Sequence, residues 1–190
     1  MAKKALLLMD LQKAIFGRVE AGPELIERLK EVKSAAQAAG MLVIYVVVQF
    51  RDGFPEVGPG NKMFGMLKSG GFPLTEGNEA VEIVGDLTPT TGDIVVTKRR
   101  VSAFAGSDLE MVLRAQQIEH VVLAGISTSG VVLSTLREAA DKDYQITVLS
   151  DCCLDRDGEV HRVLMEKVFP VQADVFTSKE WLELISLSVV

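Results

Sequence analysis

Three places in this chain set reactive groups at the ends of apolar runs. Asp10 closes the run Ala5–Met9, Lys98 follows Ile94–Val96, and Gly125–Gly130 follows Val121–Ala124. An acid and a base brought to one edge of a sheet form a pair that tunes each other's proton affinity, as general acid–base work requires. The third place reads as a strand that breaks at Gly125 and restarts as a helix. Such a junction presents backbone N–H groups and the positive end of a helix dipole to negative charge. Each place also has a plain structural role. A strand-end aspartate turns the chain, a strand-end lysine faces solvent, and Ser or Thr before a helix caps it.

No nucleophile stands at the junction. The residues entering the helix are Ser129, Gly130, Val131 and Val132. Thr128 and Ser129 offer hydroxyls, and a serine activated by Asp10 or Lys98 stays open as a route, but no histidine neighbours them in sequence. His120 precedes a strand at its opposite end and His161 lies on a late helix, so both are expected in structural or exposed places. Cys152 and Cys153 fall at the end of the following strand, where free cysteine packs as a small hydrophobe. Gln49, at the end of the second strand, is placed to orient a substrate, and Arg99 and Arg100 to bind a carboxylate, with solvated surface positions as their alternative. No G-x-G-x-x-G or P-loop follows any strand.

The elements that must position these groups alternate. Apolar runs at Ala5–Met9, Leu42–Val48, Ile94–Val96 and Val121–Ala124 are continuous, the pattern of strands covered on both faces, and Ile146–Leu149 and Val175–Phe176 extend the series. Helical spacing marks Pro23–Ala39, with Pro at its start and Gly40 at its end, then Asp108–Gln117, Gly130–Asp141, Glu159–Val168 and a last helix with Trp181–Ile185. This predicts an α/β fold, a parallel sheet between helix layers, in one domain over residues 1–190. Ligands in such sheets bind beyond the carboxyl ends of the strands. Phe50–Gly77 breaks the rhythm with seven of the sixteen glycines and three of the six prolines. Its phenylalanines (Phe50, Phe54, Phe64 and Phe72) suit a lid, a binding loop or a subunit contact better than a free linker.

Composition excludes several classes. A formal charge of −6 argues against nucleic acid as a partner, and no run reaches the ~18 apolar residues of a membrane span. The opening MAKKALLLMD has too short an apolar run for a signal-peptide core, and adjacent cysteines make a poor disulfide framework, so a cytoplasmic protein is expected.

Three segments together resemble the isochorismatase-like hydrolases, the superfamily of nicotinamidases and other cysteine amidohydrolases. They are LLLMDLQ with Asp10, TKRRVSAFAGSDLE with Lys98 and Ser102–Phe104, and VVLAGISTSGVVLSTLREAADKDYQITVLSDCC. The resemblance implies a three-layer α/β/α, Rossmann-like fold with a six-stranded, mainly parallel sheet, assembled as a homodimer or larger homo-oligomer. It implies that Asp10 is the acid/base aspartate, Lys98 its partner, and Ile126–Ser127 a cis peptide beside the reactive centre. At the position of the family's nucleophilic cysteine this chain has Val131, so covalent thiol catalysis is not expected. Nicotinamidases bind a metal through an Asp and two His after the second strand. The matching segment here, QFRDGFPEVGPGNK, has no histidine, and Asp52 with Glu56 makes no convincing site, so no metal and no other cofactor is expected. The isochorismatases proper cleave a vinyl ether without the cysteine, the aspartate donating the proton. On that pattern the expected function is hydrolysis of a small polar molecule by Asp10 with Lys98. A backbone N–H near Val131 would steady developing charge, and Gln49, Ile126, Ser127, Gly130 and Arg99 would contact substrate. The alternative is a non-catalytic small-molecule-binding protein on a hydrolase scaffold.

Overall fold

Continuous burial along the first strand, with successive residues in different cores, explains the architecture. A computed structural model describes residues 2–19 and 21–187. In β1 (Lys3–Met9), Ala5, Leu7 and Met9 enter one apolar cluster and Leu6 and Leu8 another, and all five are fully buried. A strand with both faces in a core must lie inside a sheet covered on both sides. The remaining strands are β2 (Leu42–Val48), β3 (Ile94–Lys98), β4 (Ile118–Ile126), β5 (Gln145–Leu154) and β6 (Asp174–Phe176). They form one six-stranded sheet in the order β3-β2-β1-β4-β5-β6, with every pair parallel.

The helices cover the two faces. After a short α1 (Lys13–Phe16), α2 (Pro23–Ala38) turns Leu25, Leu29, Val32 and Ala36 onto one face, joined there by Trp181 and Ile185 of α7 (Ser178–Leu187). On the other face lie Leu109 and Leu113 of α4 (Leu109–Ala115) and Leu136 and Ala139 of α5 (Leu133–Asp141). The helix expected over Glu159–Val168 divides into α6 (Gly158–Val163) and a wider turn at Leu164–Val168. No helix among the described residues is long and apolar enough to cross a membrane.

One expectation is corrected. The helix expected from Gly130 begins only at Leu133, because Gly130 adopts φ −98°, ψ −105°, outside the helical region, and Thr128–Val132 forms a wide turn instead. The Phe50–Gly77 segment has regular structure of its own. It contains α3 (Lys62–Ser69), capped by the Asn61 side chain, and packs around Phe50, whose ring lies 5.0 Å from Phe54 and 5.1 Å from Phe64. Sequence order along the sheet reverses between β1 and β4. That is where the fold opens a crevice beyond the strand ends.

Candidate active site

Asp10 leaves β1 in the left-handed region, φ 56°, where aspartate is tolerated better than most residues. Its N–H donates to Val46 O, which anchors it at the mouth of the crevice. Register explains how Lys98 reaches it. Met9 pairs with Val46, and Lys98 pairs with Val48, so the lysine stands farther along the strands than Asp10 and leans back across β2. Its Nζ lies 2.9 Å from Asp10 Oδ2 and donates to Arg100 O at 3.1 Å. The two residues are 6% and 2% exposed. Burial pushes the Asp10 carboxyl above its ordinary value, outweighing the pull of the Lys98 charge and hydrogen bond. The second carboxylate oxygen, Oδ1, is buried with no hydrogen-bond partner among the described residues.

The turn after β4 faces this pair. Gly125 has φ +148°, and a Cβ there would meet Met9 O at 2.2 Å, so only glycine lets β4 and β1 close together beneath Asp10. The Ile126–Ser127 peptide is cis, as the family resemblance implied. Ser127 O accepts from the N–H groups of Gly130 and Val132 at 3.1 and 3.2 Å. At Gly130 the space is tight for a different reason: a Cβ on it would stand 2.7 Å from Ser127 Oγ, a side-chain atom.

Asp10, Lys98, Ser127, Gly130 and Val131 form the floor of a cavity of about 310 Å³, with Ile126 beside them. Its walls are Val48, Val101 and the apolar side chains of α1 and of the Phe50–Gly77 segment, among them Phe64, Leu67, Phe72 and Leu74. Arg18 and Arg156 stand at the rim, both exposed, and the Arg18 guanidinium lies 4.5 Å above the Phe72 ring. Wider hollows on the outer face of α2 lie away from the strand ends.

Six of the eight residues expected at the site therefore meet in one cavity (Asp10, Lys98, Ile126, Ser127, Gly130 and Val131), and two do not. Gln49 donates from Nε2 to Thr97 Oγ1 at 3.2 Å, and Arg99 is held by Glu56 and Glu76. Strand alternation explains both: Val48 and Lys98 face the cavity, so the next residue on each chain points the other way. Arg100 donates to Glu56 O at 2.9 Å, and with Arg99 it ties the Phe50–Gly77 segment to the end of β3. Ser102 Oγ donates to Glu138 at 2.6 Å and Ala103 N–H to Thr135 Oγ1 at 3.0 Å, so Ser102–Phe104 braces α5. Among the described residues, no group of three or more His, Cys, Asp or Glu side chains is gathered to hold a metal.

One contact overturns the expectation that no histidine serves the turn. His161 Nδ1 lies 2.8 Å from Thr128 Oγ1, and Thr128 is fully buried. Asp155 Oδ2 accepts from Ser129 N–H at 2.7 Å. The β5–α6 region thus grips the turn at two successive residues, bringing together partners 33 and 26 positions apart. His161→Phe leaves the Thr128 hydroxyl buried without this partner and is expected to cost about 1–3 kcal/mol in urea unfolding, whereas His161→Asn retains a group at the Nδ1 position. Desolvation holds His161 and His120 below the ordinary histidine value of 6.5. The unfolded chain then binds more protons, so stability is complete above pH 6.5 and declines as pH falls below it. Unfolding at pH 7.5 and 5.5 tests this, and His161→Asn is expected to flatten the decline.

Residues 4–180 match the isochorismatase domain family. The chain is 32% identical over 181 residues to YwoC, an uncharacterized isochorismatase family protein of Bacillus subtilis, covering 95% of this chain and 93% of that one. It is 38% identical over 144 residues to the ureidoacrylate amidohydrolase RutB of Caulobacter vibrioides, covering 70% and 64%. Among solved structures, a cysteine hydrolase from Pseudomonas syringae pv. phaseolicola superimposes with a TM-score of 0.89 at 23% identity, covering 97% of this chain and 93% of that one. The N-carbamoylsarcosine amidase of Thermoplasma acidophilum gives 0.76 at 26% identity, covering 93% and 96%.

Proposed function

The chain belongs to the isochorismatase family of hydrolases, and from that membership we propose that it cleaves a C–N or C–O bond of a small molecule by acid–base catalysis, without a covalent thiol intermediate. Asp10 Oδ1 carries this reading. A buried carboxyl oxygen with no partner among the described residues, beside an oxygen fixed by Lys98 and facing a cavity, is placed to serve a group that is not part of the protein. Burial raises its proton affinity, which suits a donor that must hold a proton until substrate arrives.

In the proposed reaction Asp10 delivers its proton to the leaving nitrogen, or to the unsaturated carbon of an enol ether. Water adds its oxygen to the electrophilic carbon, the bond from that carbon to nitrogen or oxygen breaks, and the surplus proton of the water returns to Asp10. Lys98 steadies the carboxylate between steps, and the turn at Gly130–Val131 meets developing negative charge with its backbone N–H groups. Arg18 and Arg156 at the rim suit a substrate with a carboxylate end.

Val131, 2% exposed on the cavity floor, also supports a second reading, a scaffold that binds a small molecule and does not turn it over. Turnover separates the two. Isochorismate is followed by pyruvate release, and ureidoacrylate, N-carbamoylsarcosine and hexanamide by ammonia release, before and after iodoacetamide. At least one is expected to be hydrolysed, with the rate unchanged by alkylation. Cys152 and Cys153 are buried, and burial pushes both thiols up, that of Cys153 to about 12. No hydrolysis of any of them by the native chain, together with amide hydrolysis by Val131→Cys, establishes the binding scaffold instead.

A further inference from the structure

The cavity above Asp10 and Lys98 is chemically lopsided. Polar groups occur only at its floor and its rim, while the space between is bounded by Ile15, Phe64, Leu67, Phe72, Leu74 and Val101. This wall is built in advance. Phe64 and Leu74 are 3% and 2% exposed and belong with Val48, Phe50 and Phe54 to an apolar cluster separate from the two main cores. Phe50 forms its centre with two ring contacts, and its backbone clasps the segment through Phe50 N–H to Leu74 O at 2.7 Å and Glu76 N–H to Phe50 O at 2.8 Å. Arg99, bound by Glu56 and Glu76, holds the segment from outside, and Lys13, bound by Glu79 and Glu82, ties α1 to the chain that follows it.

A small polar substrate fits this chamber poorly. Hydroxyl or amide groups lying between floor and rim lose their water and find no partner there. Hydrocarbon in the same space removes apolar surface from water on both sides. The volume of about 310 Å³ is at the lower end of ligand-binding pockets, room for a ring or a short branched chain beyond the reacting group.

We infer that the natural substrate is amphiphilic: its hydrolysable group reaches Asp10 and Ser127 on the floor, and an apolar body, aromatic or aliphatic, fills the chamber formed by Phe64, Leu67, Phe72 and Leu74. This rests on the proposed function, in which the floor is the reacting end. It departs from the expectation of a uniformly polar small molecule by assigning polarity to the ends alone.

NMR-detected titration of the native chain with acetamide, butanamide, hexanamide and phenylpropanamide tests it without needing turnover. The dissociation constant is expected to fall about fourfold per added CH₂ until the chamber is full, the factor that burying a methylene supplies. Leu67→Asn, on the partly exposed face of α3, is expected to weaken hexanamide about tenfold and leave acetamide unchanged. Affinity that does not rise with chain length, or no measurable binding across the series, overturns the inference, as does equal weakening of acetamide and hexanamide by Leu67→Asn. Graded affinity with no hydrolysis of any amide or enol ether defeats the hydrolase reading and leaves the amphiphilic ligand in place. Rapid hydrolysis of ureidoacrylate with no gain from added hydrocarbon does the reverse.

Discussion

Asp10→Asn is expected to lower kcat/KM by about 10²–10⁴, with the loss in kcat and ligand affinity preserved. The substitution keeps the shape of the side chain and an oxygen for Lys98 but removes the group that gains and loses a proton. Its stability cost is expected at about 1–3 kcal/mol, because Lys98 stays hydrogen-bonded while losing its buried counter-charge. Far-UV circular dichroism and urea unfolding establish that the variant is folded, and amide titration establishes that the cavity is intact. The pH profile adds a signature. If Asp10 donates the proton, activity is greatest where its carboxyl is protonated and falls as pH rises through a value above the ordinary carboxylate range, because burial has raised it. An Asp10→Asn enzyme with more than a tenth of native activity removes Asp10 from the chemistry.

Gly125→Ala is expected to be the most destructive small substitution in the chain. Its Cβ would lie 2.2 Å from Met9 O and 2.9 Å from Met9 C, main-chain atoms of the neighbouring central strand that have no rotamer into which to retreat. The φ of +148° adds backbone strain for any residue with a side chain. Relief requires β4 to part from β1, and a cost above ~4 kcal/mol puts the variant among the exceptional destabilisations. Thermal unfolding and soluble yield are the measurements, and a melting temperature within a few degrees of native contradicts the expectation. Gly130→Ala is the instructive contrast. Its obstacle at 2.7 Å is Ser127 Oγ, a side-chain atom free to rotate, so the fold is expected to survive while the floor of the cavity changes.

Much of the scaffold is legible in the chain because strands buried on both faces cannot alternate in polarity. The run that ends at Asp10 was therefore readable as a central strand, and the run that ends at Lys98 as a strand, although β3 lies at the edge of the sheet with Val95 exposed; both charged tips arrive in one cavity. Gln49 and Arg99 were misplaced by proximity. Each follows a cavity-facing residue, and the two-residue period of a strand turns each outward, to Thr97 and to Glu56 with Glu76. Arg18 and Arg156 follow no period, since loop residues reach the rim only through the path of the chain between elements. The Thr128–His161 contact was hidden for another reason. Local sequence gives no sign that α6, entered through an Asp157 cap, returns to the turn after β4. The late start of α5 was likewise masked, because a glycine in a helical pattern is tolerated, and only its φ and ψ place the boundary at Leu133.

The strand order β3-β2-β1-β4-β5-β6 has a consequence for how the molecule is born. β1 leaves the ribosome before the other five strands and finishes at the centre of the sheet, with Ala5–Met9 wholly enclosed. Its neighbour on one side, β2, follows within about 40 residues, but β4 on the other side is complete only at Ile126. At synthesis rates of about 5–20 residues per second, one flank of this enclosed strand waits on the order of ten seconds for its permanent neighbour. Chains released before Ile126 are thus expected to aggregate more readily than the full chain, because one edge of β1 is left without its neighbour. The same arrival that covers β1 also delivers the turn that completes the cavity, so a nascent chain gains its protection and its site in one event.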